Sequence, residues 1–340
     1  QWDTLTLYPG QEERRLDLEA SLPVVERALL SIDGRVADLA VERKPPLQPE
    51  LSVLRDLLKH RIDQFVGLVG LYLTDLGSGQ RLEINSDTVY SGMSIVKVGI
   101  MVTTLIDLNG VDPDEDIRNY MLKIAIDPVG SNYWANLLLG EIGDGSQTLG
   151  AQRTTQTLRA LGLMRTFIRS PYHIETGYRP LGLARALEVD RLRPANQSAN
   201  PDPFIQTSPH DIGTLLEMIY YCAQGRGPLM EIYPGQITPS GCQLILDVLK
   251  ENPVRPWLGS GIPAEISLAH KHGFLYDTIG DAGIVYSSGG DYVLSVFVYA
   301  NTDWLGCGAQ PIFFDISRLV YAFFNLESGL WSPPSPECGP

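Results

Sequence analysis

The segment "VYSGMSIVKVGIM", residues 89–101, places Ser94 three positions before Lys97 at the mouth of an apolar run. A serine hydroxyl becomes a useful nucleophile when a neighbour takes its proton, and a lysine amine can do so once desolvation lowers its pKa. If a helix begins near Ser94, residues i and i+3 share a face and the two groups meet. A serine at a helix N-terminus also faces backbone N–H groups that suit a developing oxyanion. Ile95, Val96 and Val98 would keep the amine dry. A plainer reading makes Ser94 a helix cap and Lys97 a snorkelling surface lysine. Because such a pair arises by chance about once in a few hundred residues, companions elsewhere in the chain decide between the two.

Those companions come in order. "GSNYWANLLL" (130–139) sets Gly130, Ser131 and Asn132 before a helical apolar run. "AHKHGFLYDTIGDAGIVYSSGGDYVLSVFVY" (269–299) sets Lys271, His272, Gly273 and Phe274 on a strand that enters a hairpin. With the first segment, they resemble the S-x-x-K, S-D-N and K-T-G motifs of class A β-lactamases and penicillin-binding proteins. The resemblance spans roughly residues 50 to 330. It implies that Ser94 is acylated, that Lys97 accepts its proton and that Lys271 holds a substrate carboxylate. His272 stands where the family has Thr or Ser. The backbone N–H groups of Ser94 and Phe274 would form the oxyanion hole, with Gly273 completing the third motif.

Two departures affect how such an enzyme would turn over. Aligned on "ANLLL", Asn132 matches, but Gly130 falls where the family has the serine that protonates the leaving nitrogen. A slip of one residue would make Ser131 that serine and displace the asparagine; the gapless pairing is preferred, because a loop absorbs length and a helix does not. Matching "TFIRSPY" to the family's approach to its loop puts Tyr172 where class A enzymes carry the Glu of deacylation. Glu175 is then the nearer substitute base and Glu188 the farther. An acyl-enzyme without a positioned base would be released slowly.

Two histidines, His270 and His272, share a strand face and could ligate a metal. No third ligand stands at useful spacing, so no metal and no cofactor are expected. His272 is instead expected to hydrogen-bond the substrate carboxylate, with a charge that varies near neutral pH. His60, His173 and His210 are read as structural.

The elements that must position these groups follow from periodicity. "VGLVGLYLTDL" and "RLEINSD" read as strands, as do "ISLAHKHG", "AGIVYSSGG" and "YVLSVFVYA", while the middle of the chain shows helical spacing throughout. The reading is an α+β, β-lactamase/transpeptidase-like fold: one antiparallel sheet built from both chain ends, beside an all-helical region. Between Arg169 and Thr207 a stretch rich in Pro, Arg and Asn reads as a long loop or lid. The predicted divisions are a β-α-β extension and Pro-rich linker (1–48), a serine hydrolase domain (49–332) and a Pro-rich tail (333–340). The first 45 or so residues resemble part of a peptidoglycan-binding domain, which would place the chain outside the cytoplasm near the wall; a packing extension is the alternative.

Bulk properties narrow the partners. The 340 residues are 44% apolar, ample for a core, and carry a net charge of -14 with no Lys/Arg run, which argues against nucleic acid. Apolar runs such as "YVLSVFVYA" are far shorter than the roughly 18 residues a membrane span needs. The chain starts at Gln1, so any signal peptide or anchor is expected upstream. Four cysteines, Cys222, Cys242, Cys307 and Cys338, leave their pairing open. The resemblance implies three candidate functions: hydrolysis of β-lactam amides, a slowly released penicillin-binding protein or D-Ala carboxypeptidase, and a cell-wall-binding module with faded catalysis. The partner it implies is a small β-lactam or a peptidoglycan peptide.

Overall fold

The structure is a computed structural model that describes residues 5, 7, 10, 12–32, 34–44, 49–127, 130–172, 199–302 and 305–326. Near the N-terminus β1 (Glu13–Leu16) and β2 (Val41–Lys44) pair antiparallel around α1 (Leu18–Leu30). The second strand is shorter than its alternation predicts, four residues of the ten in "RVADLAVERK". Leu18, Leu22, Leu29 and Leu30 of α1 stay exposed.

The main sheet is built from both chain ends. After α2 (Leu51–Asp63) come β3 (Leu68–Asp75) and β4 (Arg81–Ile84), and near the C-terminus β8 (Ser267–Phe274), β9 (Thr278–Tyr286) and β10 (Tyr292–Tyr299). The order is β4-β3-β10-β9-β8, all neighbours antiparallel. β10 lies at the centre with both faces covered, so its sequence reads as a nearly continuous apolar run. Its alternate residues divide between two cores. Leu294, Val296 and Val298 pack with α2 and α10 (Gly306–Phe324), while Val293 and Phe297 pack with the helical region.

That helical region contains α3 (Lys97–Asp107), α4 (Glu115–Ile126), α5 (Ser131–Ile142), α6 (Gln147–Ala160), α7 (Pro209–Ala223), α8 (Pro228–Ile232) and α9 (Pro239–Lys250). Capping fixes where several of them start. Asp114 and Ser146 accept backbone N–H groups in the first turns of α4 and α6, and Ser208 and Thr238 do so for α7 and α9, each followed by proline at the first helical position. A disulfide between Cys222 and Cys242 ties α7 to α9, with Cα atoms 5.9 Å apart. Cys307 is also disulfide-bonded, and Cys338 lies outside the described residues.

The middle of the chain is not all helix. A second sheet of three strands, β5 (Tyr90–Ser91), β7 (Ile205–Thr207) and β6 (Phe167–Ile168), runs through it. Strands of two or three residues are too short to display alternation, so periodicity missed them. They join both ends of the predicted loop to the segment just before Ser94. Residues 173–198 of that loop lie outside the described residues, as do linker residues 45–48 and the whole tail. No helix among the described residues is long and apolar enough to cross a membrane.

Candidate active site

The helix that carries the first motif starts later than its sequence predicts. Residues 93–96 wind as a tight turn: the Gly92 carbonyl accepts the Ile95 and Val96 N–H groups, and the Lys97 N–H bonds the Ser94 carbonyl. These bonds, two of them i to i+3 and one i to i+4, keep Ser94 and Lys97 on one side, as a regular helix would, although α3 begins only at Lys97. Met93 takes the left-handed conformation, φ 49°, which is uncommon for a residue with a side chain and marks local strain. Its carbonyl accepts the Tyr172 hydroxyl at 2.9 Å, an anchor for the turn.

Lys97 is fully buried, since α3 is covered from its first residue to Ile106. Its Nζ lies 2.9 Å from Ser94 Oγ, 2.9 Å from Ser131 Oγ and 2.7 Å from Asn132 Oδ1. All three are neutral acceptors, so burial dominates and pushes the amine well below its ordinary pKa, helped by the charge of Lys271. A neutral amine has two N–H groups and one lone pair. Asn132 Oδ1 can only accept, so at least one hydroxyl must donate to Nζ for all three contacts to hold. When Ser94 is that donor, the arrangement is the one its attack on a carbonyl requires.

In the second motif Ser131 and Asn132 lie side by side against Lys97. Both Ser131 and Asn132, the first two residues of α5, reach Lys97, so no slip of register is needed to bring a hydroxyl in. Gly130 carries no side chain into the cleft and serves a different purpose. Asp127 accepts the Gly130 N–H at 2.7 Å and the Trp134 indole N–H at 3.2 Å, and a Cβ on Gly130 would run into that carboxylate.

β8 brings the third motif alongside. The cleft, about 210 Å³, is lined by Ser94, Ser131, Asn132, Lys271, His272, Gly273 and Phe274. Glycine is required at 273, because a Cβ there would lie 2.8 Å from Ser94 N. Burial lowers Lys271 to about 8, against the attraction of Asp281. The charge expected to vary at His272 near neutral pH does not: burial first, then Lys271, pushes it down to about 3, so the ring is neutral across the physiological range. Behind His272, His270 Nδ1 meets Asp281 Oδ1 at 2.8 Å, both groups buried. Among the described residues no cluster of three His, Cys, Asp or Glu side chains could hold a metal.

Tyr172 stands beside Lys97. Its ring centroid is 4.6 Å from Lys97 Nζ, and Asn136 holds its backbone from both sides, Nδ2 to the Tyr172 carbonyl at 2.7 Å and the Tyr172 N–H to Oδ1 at 2.8 Å. Glu175 and Glu188, the proposed substitute bases, lie outside the described residues, as does His173. His210 sits in the first turn of α7, beside the buried Asp211, and His60 contacts Gln64 on α2; neither lines the cleft. Sequence reasoning missed Asp127, and also Asn136 and Asn252, whose partners Tyr172 and His272 are reached only through the fold.

A larger open cleft of about 610 Å³, lined by Thr103, Asp107, Arg153 and Tyr233 among others, lies at the other end of α3 and lacks a paired nucleophile and base.

A model of the beta-lactamase enzyme family matches residues 53–119 and 135–324. A search of curated proteins gives no match. Among solved structures, a point mutant of PBP-A in an acyl-enzyme complex with penicillin G is 21% identical, with a TM-score of 0.60 over 82% of this chain and 98% of that chain. A beta-lactamase from Sphaerobacter thermophilus is 16% identical, with a TM-score of 0.60 over 84% and 100%. The class A beta-lactamase from Mycobacterium abscessus is 20% identical, with a TM-score of 0.56 over 80% and 99%. At such identities the likeness is one of fold.

Proposed function

Because the chain belongs to the beta-lactamase enzyme family, we propose that it is a serine hydrolase of β-lactam amides whose Ser94 forms an acyl-enzyme that clears slowly. Ser94 Oγ gives its proton to Lys97 and attacks the amide carbonyl. The oxyanion is received by the backbone N–H groups of Ser94 and Phe274. As the C–N bond breaks, the proton passes from Lys97 through the Ser131 hydroxyl to the leaving nitrogen, Asn132 holding the lysine in line. Lys271 and His272 bind the substrate carboxylate at the edge of the cleft. The observation that carries this reading is the buried Lys97 amine with Ser94, Ser131 and Asn132 all within 2.9 Å.

Slow release is supported by Tyr172, an aromatic ring beside the catalytic lysine where the family's deacylating carboxylate is expected. The same observation favours the second reading, a penicillin-binding protein or D-Ala carboxypeptidase acting on D-Ala-terminated wall peptides. Work outside the cytoplasm is supported by the Cys222–Cys242 disulfide, a bond kept in oxidising compartments. Incubation with a fluorescent penicillin and a chromogenic cephalosporin tests the proposal. A stable label that Ser94→Ala loses, with slow colour, is the expected result. Rapid colour overturns slow clearance; no label and no colour would leave the faded wall-binding module.

A further inference from the structure

Asn252 lies just past the end of α9 and is buried. Two main-chain groups fix its amide: Oδ1 accepts the Val254 N–H at 3.1 Å, and Nδ2 donates to the His270 carbonyl at 3.2 Å. Turning the amide over would set N–H against NH₂ and carbonyl against oxygen, so these contacts decide which end is nitrogen. The same nitrogen faces His272 Nδ1 at 3.2 Å. An amide nitrogen only donates, so Nδ1 must accept, and a neutral imidazole then carries its proton on Nε2. The ring is neutral, with burial and Lys271 holding its pKa at about 3. Its Nε2 belongs to a side chain that lines the cleft and is not among the sealed, unpartnered atoms, whereas Nε2 of His270 is.

We propose that Asn252 is a positioning residue that locks His272 as the Nε2–H tautomer, a fixed neutral donor to the anionic group of the substrate beside Lys271. The inference rests on the reading of the cleft as a site for acyl substrates that carry a carboxylate. A threonine hydroxyl, which the family has here, rotates and can both donate and accept. The locked imidazole only donates, and its hydrogen bond to a charged acceptor is the stronger one, so this edge of the cleft favours a carboxylate over its uncharged, capped forms.

Two measurements test it. In protein labelled with ¹⁵N-histidine, long-range ¹H–¹⁵N spectra report each ring's tautomer, and the His272 signals are identified by their loss in His272→Thr. Expected is a protonated Nε2 with a bare Nδ1 from about pH 5 to 8; a protonated Nδ1 or an imidazolium in that range overturns the proposal. Second, acylation by penicillin G and by its methyl ester is timed for Asn252→Leu in the native and the His272→Thr backgrounds. With His272 present, the acid should lose about 3- to 10-fold, the scale of one weakened hydrogen bond to a charged group, and the ester should lose little. With Thr at 272 the loss should stay under about 2-fold, since the coupled partner is gone. Equal losses in both backgrounds would mean a merely structural role and overturn the proposal. If native protein takes no penicillin label, the functional reading falls and takes the substrate half of the proposal with it, while the spectra decide the tautomer on their own.

Discussion

Around Ser94 the chain assembles a buried amine with three oxygen atoms within 2.9 Å, a neighbouring lysine on β8 and a glycine that lets the strand approach. Around Tyr172, on a second flank of the same amine, it assembles an aromatic ring, a hydroxyl spent on the Met93 carbonyl and a backbone held by Asn136. The first flank is the arrangement on which the proposed acylation rests. On the second, the described residues present no carboxylate to activate water, and the ring takes up room beside the amine. The difference teaches that the two flanks can vary separately, because they use different side chains on different elements.

Four changes break or sharpen that contrast. Lys97→Ala removes the proton acceptor of the first flank and should slow acylation by penicillin about 10³-fold, read by quenched mass spectrometry; a rate near that of the native protein would show that the amine is a bystander. Tyr172→Glu puts a carboxylate on the second flank and should speed release of the acyl group about 10²-fold, followed as loss of label. Unchanged release would mean that the ring is not what holds the acyl-enzyme. A pH profile separates the flanks further. Lys271 is a cation below about 8 and neutral above, so acylation by an anionic penicillin should fall about tenfold per unit as pH rises beyond that value. The uncharged methyl ester should show no such limb, and an equal limb for both would point to another group. The smallest effect is on stability. Gly130→Ser should push against Asp127 and cost about 1–3 kcal/mol, a loss of several degrees in Tm; an unchanged Tm would mean that the Asp127 clamp yields freely.

Much of the frame was legible in the chain. β3, β8, β9 and β10 carry enough residues for their strand character to show, and the "SGG" between β9 and β10 marks their turn. The small sheet was not legible, because its strands hold two or three residues and exist only through pairing across the loop. For the site, the ordered motifs marked Ser94, Lys97, Asn132 and Lys271. Sequence spacing could not say that Ser131 and Asn132 both turn toward Lys97, since that depends on where α5 begins. It also mistook His272 for a group that titrates near neutral pH, because burial and the proximity of Lys271 are properties of the folded sheet. Asn252, twenty residues from His272, gives no local signal at all.

The central claim is that Ser94 takes an acyl group readily and gives it up slowly. The most direct measurement is intact-mass spectrometry of the protein with penicillin G, followed by removal of excess drug and peptide mapping over time. The account predicts one penicillin adduct per chain, on the peptide that contains Ser94, outlasting the removal of drug and missing in Ser94→Ala. An adduct on another residue, an adduct that survives Ser94→Ala, or none in the native protein would contradict it.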